Sequence, residues 1–175
     1  KYMFYTGQMS YSLNSRYSRR SQYNYWDTET QLWGKPVMVV FDPGADVPIT
    51  DSLKTVHGTW DYYIQPDYYS YSLIRLKPAL KQIKTRPGAH VNVILQPNND
   101  YHQPIRLDRT NEPVLGYAFT NEDGGLPPVK SAMTLEKAVL RRLINLEVIM
   151  PQKPGKYQLK YCVFAGEMPP NHNSP

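Results

Sequence analysis

Residues 154–164 constrain the fold of this chain more than any other stretch. Pro154 and Gly155 make a turn, after which Tyr157, Leu159, Tyr161 and Val163 alternate with Gln158, Lys160 and Cys162. Successive side chains on a strand point to opposite faces, so this spacing predicts a half-buried antiparallel strand with one apolar face. A face of that kind needs a second sheet to cover it. Fold class is therefore settled early, whereas no catalytic or cofactor motif accompanies it.

The same pattern recurs along the chain. Val37–Phe41 is a continuous apolar run closed by Asp42, Pro43 and Gly44, which reads as a strand buried on both faces, followed by a turn. Residues 42–58 read as a loop with a short edge element. Thr59–Ile64 is aromatic and strand-like, and Pro66 stops it. Tyr71–Leu76, His90–Leu95, Pro104–Leu107 and Val114–Phe119 are further strand candidates, the last running into a turn at Asn121–Gly125. Leu135, Val139 and Leu143 recur every fourth residue, so the sequence predicts one helix over 134–143, capped by the Thr134 hydroxyl. The period then switches to two: Ile144, Leu146, Val148 and Met150 face one way, Asn145 and Glu147 the other. A tight connection over 152–155 predicts a hairpin between this strand and the one that follows.

Seven or eight short strands with at most one short helix predict an all-β protein built as an antiparallel β-sandwich, with a jelly roll as the competing architecture. The alternation of strands with helices that a parallel sheet requires is missing. The chain of 175 residues suits one sandwich domain over 35–170, with an arm or linker over 1–34 and a tail over 171–175. The arm is rich in Tyr and Ser, carries Arg16, Arg19 and Arg20, and has few aliphatics.

Charge and cysteine content exclude some functions. The net charge of +5 is that of a mildly basic solvated surface and does not demand an anionic partner. Cys162 is the only cysteine, which excludes an intramolecular disulfide and a cysteine-based zinc site. Its apolar neighbours predict a buried, inert thiol rather than a nucleophile. No run approaches the ~20 apolar residues of a membrane-spanning helix. The chain opens at Lys1 rather than Met, as an excised piece of a longer protein would.

The order of the later motifs carries a resemblance. Residues 86–93, then Leu115–Phe119, Asn121–Gly125, Leu146–Pro151 and Pro154–Leu159 follow one another as strand, turn, strand, turn and final strands. Over residues 70–165 this resembles the C-terminal half of immunoglobulin-like sandwich modules in bacterial envelope proteins. Those include modules attached to membrane-bound sugar transferases and the O-antigen-binding domains of polysaccharide exporters. The resemblance implies an immunoglobulin-like sandwich that acts as a non-catalytic accessory or binding module outside the cytoplasm, in the periplasm or at the cell surface. It carries no functional residue onto this chain.

Aromatic residues are the candidates for ligand contact. Trp26, Trp33 and Trp60, with the tyrosines that follow, can form a platform on which sugar rings stack, while Asp61, Asp67 and Asn98–Asp100 bind hydroxyls. Equally, such large amphipathic rings fill the rim of a sandwich. The residues expected to touch a ligand are Trp60, Tyr62, Tyr63, Tyr68, Tyr69 and Tyr71, with Tyr68–Tyr71 the most exposed part of the set.

Other candidate chemistry is weaker. Asp42, Asp46 and Asp51 share a loop, but without calcium-loop spacing they read as turn residues. Glu122 and Asp123 before Gly124 read as a hairpin turn. His57, His90, His102 and His172 are scattered, with no metal-ligand spacing, although His57 with Asp61 or His102 with Asp100 could pair for proton transfer. No catalytic residue, metal or cofactor is assigned. Arg16, Arg19 and Arg20 among tyrosines suggest an arm for phosphates and bases, but three arginines are few for packaging nucleic acid. The expected partner is a glycan, a protein, or the membrane protein from which the module derives. The competing function is a self-assembling, coat-like jelly roll.

Overall fold

The computed structural model describes residues 27–41, 48–102, 104–105, 107, 112–122, 124–166 and 170–174. A 3-10 helix over Asp27–Leu32 leads to β1 (Val37–Phe41), β2 (Asp51–Thr55), β3 (Gly58–Gln65), β4 (Ile74–Pro78) and β5 (His90–Asn99). Next come β6 (Val114–Asn121), β7 (Gly124–Gly125), β8 (Val129–Thr134), the helix α1 (Leu135–Val139), β9 (Ile144–Ile149), β10 (Gln158–Phe164) and β11 (Asn171–His172). Every strand pairing among the described residues is antiparallel. The chain is thus all-β, as its alternating pattern predicts.

Three sheets result. One has the order β1-β3-β2 and another β4-β5-β9. The last has the order β11-β10-β6-β7, with β8 also on β6. The apolar core joins the second and third sheets. Ile74, Leu76, Val93, Leu95, Ile144, Leu146 and Val148 come from one, Leu115, Tyr117, Phe119, Tyr161 and Val163 from the other. Each is an inward position of an alternating strand, and burying one such side chain stabilises by about 1.5–3 kcal/mol. Leu135 and Ala138 of α1 close the core at one end.

Residues 171–174 lie between the β4 side of one sheet and β10 of the other. β11 pairs with β10, setting His172 opposite Cys162. The fully buried Asn173 then reaches across: its Nδ2 donates to the carbonyls of Tyr71 and Ile74, both at 2.7 Å. Its backbone N–H donates to the Tyr161 carbonyl at 3.0 Å, and its own carbonyl accepts from the Leu76 N–H at 2.8 Å. Asn171 Oδ1 accepts the Tyr71 N–H, and Ser174 Oγ that of Tyr161. A row of backbone donors and acceptors at a sheet margin is satisfied here by a short polar segment.

Four expectations are corrected. The strands β9 and β10 are not a hairpin: β9 pairs with β5 and β10 with β6, so the 150–157 connection crosses between sheets. The helix stops at Val139, because the chain must re-enter extended backbone by Ile144; Leu143, expected on its apolar face, is 61% exposed. Its cap is as expected, Thr134 accepting the Lys137 N–H. Val37–Phe41 is not buried on both faces, since it lies in the sheet that the core does not include, with Met38 and Val40 exposed. The strand β10 is more than half-buried: its second half is covered on both faces, Cys162 and Phe164 included. Gly116 on β6 makes that possible, since a Cβ there would sit 2.3 Å from the Phe164 ring. Cys162 is free and buried, as its neighbours predict.

Candidate binding surface

The sheet β1-β3-β2 places side chains on two faces according to register. Met38 lies opposite Ile64, Val40 opposite Tyr62, and Leu53 opposite Trp60. Paired residues of an antiparallel sheet share a face, so these six form one continuous apolar and aromatic surface. Met38 is 52% exposed, Val40 46%, Ile64 40% and Leu53 38%, while Trp60 and Tyr62 are half-buried. Asp51, opposite Tyr62, is the acidic group on this face. The other face carries Val37, Val39, Phe41, Tyr63, Asp61 and Gln65, all half-buried. On it Ser52 Oγ donates to Asp61 Oδ1 at 2.6 Å.

A neck of polar and ring contacts ties this sheet to the core. Gly34, whose φ of +73° suits glycine, follows the 3-10 helix and turns the chain into β1. Its N–H donates to the Tyr68 carbonyl, and the Tyr68 N–H donates to the Lys35 carbonyl. Trp33 stacks on Tyr69 with centroids 5.5 Å apart and tilts against Tyr101 at 5.0 Å. One carboxylate oxygen of Glu29 accepts from the hydroxyls of Ser70, Ser72 and Tyr101. Burial first, and the Glu29 charge second, push the Tyr68 and Tyr101 phenols well above the ordinary tyrosine value. Both rings therefore stay neutral, and Glu29 is anchored by three hydroxyls.

The sequence-expected contact residues separate into two groups. Trp60 and Tyr62 share the open face, and Tyr63 lies on the reverse of the same strand. Tyr69 is half-buried beneath Trp33, whereas Tyr68 and Tyr71 are buried, at 5% and 1% exposure. The segment 68–71 is therefore not the exposed part of the set, because it packs into the core and neck. Trp26, the three arginines and Asp42 and Asp46 lie outside the described residues. Asp51 sits on β2, and among the described residues no three of His, Cys, Asp and Glu cluster as metal ligands would. His90 Nδ1 lies 2.8 Å from Glu147 Oε1, a pairing with no local sequence signal because it spans two strands. Nothing in the sequence marks Met38, Val40, Leu53 and Ile64 as surface residues. Their apolar character reads equally as core, and it is their exposure in the folded chain that distinguishes them.

Compared with models of protein families, with curated proteins and with solved structures, the chain matches none.

Proposed function

We propose that the chain is a non-catalytic binding module whose β4–β11 body is an immunoglobulin-like sandwich presenting the β1-β3-β2 sheet to a protein partner. The strand orders support the sandwich. In the immunoglobulin arrangement one sheet begins with strands A, B and E and the other holds C, F and G, with a further strand beside C in variable types. The orders β4-β5-β9 and β8-β6-β10-β11 follow that pattern. The observation that carries the function is the exposed surface of Met38, Val40, Leu53, Trp60, Tyr62 and Ile64. Contiguous exposed apolar surface marks interaction sites, and aromatic anchors amid aliphatic residues are the composition of protein interfaces. A glycan needs several hydroxyl-binding groups around the stacking rings, and this face offers chiefly Asp51. An extracytoplasmic location, with the module attached to a membrane protein, completes the proposal and is supported by the envelope-module resemblance.

The test uses the chain as bait on envelope extracts of the source organism, alongside Val40→Glu and Ile64→Glu baits and a glycan array. A partner protein retained by the wild type and lost by both variants is the expected result. Partners indifferent to both substitutions, or glycan binding abolished by Trp60→Ala and Tyr62→Ala, overturn it.

A further inference from the structure

The two margins of the core differ. On one, residues 171–174 bridge β4 and β10 with backbone and asparagine hydrogen bonds. On the other, β9 ends its sheet and β8 lies at the edge of the sheet that shares its core, with no strand between them among the described residues. A groove of about 430 Å³ lies there, lined by Met133, Lys137, Arg141, Asn145, Glu147 and Ile149 among others.

The main chain of β9 faces into this groove. The Met150 N–H donates to the Ala89 carbonyl beside β5, whereas the Ile149 N–H donates the other way, to the Tyr117 hydroxyl at 2.9 Å. Amide directions alternate along an antiparallel strand, so Asn145 and Glu147 also turn their N–H and C=O groups away from β5. Such a margin is a template for one more strand. Under the sandwich reading, β9 corresponds to the strand beside which constant-type domains carry a fourth. Lys137 and Arg141 make the entrance positive, while the Glu147 carboxylate is turned to His90.

We infer that this groove takes an extended acidic segment of a partner protein, which adds to β9 as a strand and sets its carboxylates against Lys137 and Arg141. Main-chain pairing supplies affinity in this mode, and the flanking side chains supply selectivity. The site is separate from the β1-β3-β2 face.

The probe is a fluorescein-labelled peptide of alternating Glu and Val, with a Lys-Val counterpart and a version N-methylated on alternate amides. Fluorescence anisotropy is expected to show binding of the Glu-Val peptide alone. Lys137→Glu with Arg141→Glu weakens it by about tenfold. Glu147→Pro, which removes an outward N–H, abolishes it. In amide spectra, Asn145 and Glu147 shift on titration. If Glu147→Pro fails to fold, the N-methylated peptide makes the same test from the ligand's side. Absence of binding, equal binding of the Lys-Val peptide, or indifference to both charge reversal and N-methylation overturns the inference.

Discussion

The β4–β11 body and the β1-β3-β2 sheet are written in one alphabet and meet different fates. Both are antiparallel and use tyrosines and β-branched residues. In the body, Leu146 and Val148 share one buried cluster with Tyr117, Tyr161 and Val163 and are almost wholly buried. In the small sheet, Val40 in its unbroken apolar run and Ile64 in its aromatic strand remain 46% and 40% exposed. The difference is one of cover. The body has two sheets that share one core and a sealing segment at 171–174, while the small sheet hangs on the neck formed by Glu29, Trp33, Gly34 and residues 67–72. Alternation makes an amphipathic ribbon, and whether its apolar side becomes core or interface depends on what lies opposite.

Substitutions can break or sharpen that contrast. The largest effect is expected at Leu146→Ala, which should lower stability by about 3 kcal/mol through lost burial and a residual cavity. The matched change Ile64→Ala should stay within about 0.5 kcal/mol. Urea unfolding of both variants checks this, and equal losses would show that the small sheet is packed as firmly as the body. Asn173→Ala comes next, at about 2 kcal/mol, because it leaves the buried carbonyls of Tyr71 and Ile74 without a side-chain donor. Its effect should fall on β4 and β10 in hydrogen exchange and spare β1–β3.

Alkaline titration separates the regions by pH. Burial raises the Tyr161 phenol from 10.0 to about 12. The unfolded chain therefore releases this proton first, so the stabilisation is complete below pH 10 and is lost as pH climbs to about 12. Tyr161→Phe should flatten that part of the stability profile, and an unchanged slope would assign the loss to other groups. A smaller effect than at Asn173 is expected at Glu29→Gln, about 1 kcal/mol, since the amide oxygen still accepts from hydroxyls but the charge is lost. Faster amide exchange in β1–β3 with β9 and β10 unaffected would mark the neck as the joint between the regions; uniform acceleration would mark it as part of the core.

Much of the body was legible. The residues Ile144, Leu146 and Val148 announced an inward face, Thr134 a cap, and Cys162 a buried thiol, because each signal is local. Pairing was not local. Nothing in 143–164 distinguishes a hairpin from two strands that part into separate sheets, since a short connection permits either. The candidate surface is half legible: the rings of Trp60 and Tyr62 mark them as contact residues. The rings of Tyr68 and Tyr71 carry the same mark and are core, because a tyrosine serves in both places. The Glu29 cluster had no signal at all, as its hydroxyl donors stand 41 to 72 residues away.

By itself, the sequence determined that this chain would be antiparallel and β-rich, because period two is a property of neighbouring residues. Tertiary structure alone decided which strands became partners, which margin the 171–174 segment closed, and which apolar face went uncovered. Those outcomes depend on backbone groups and side chains brought together from distant parts of the chain, and no local spacing records them.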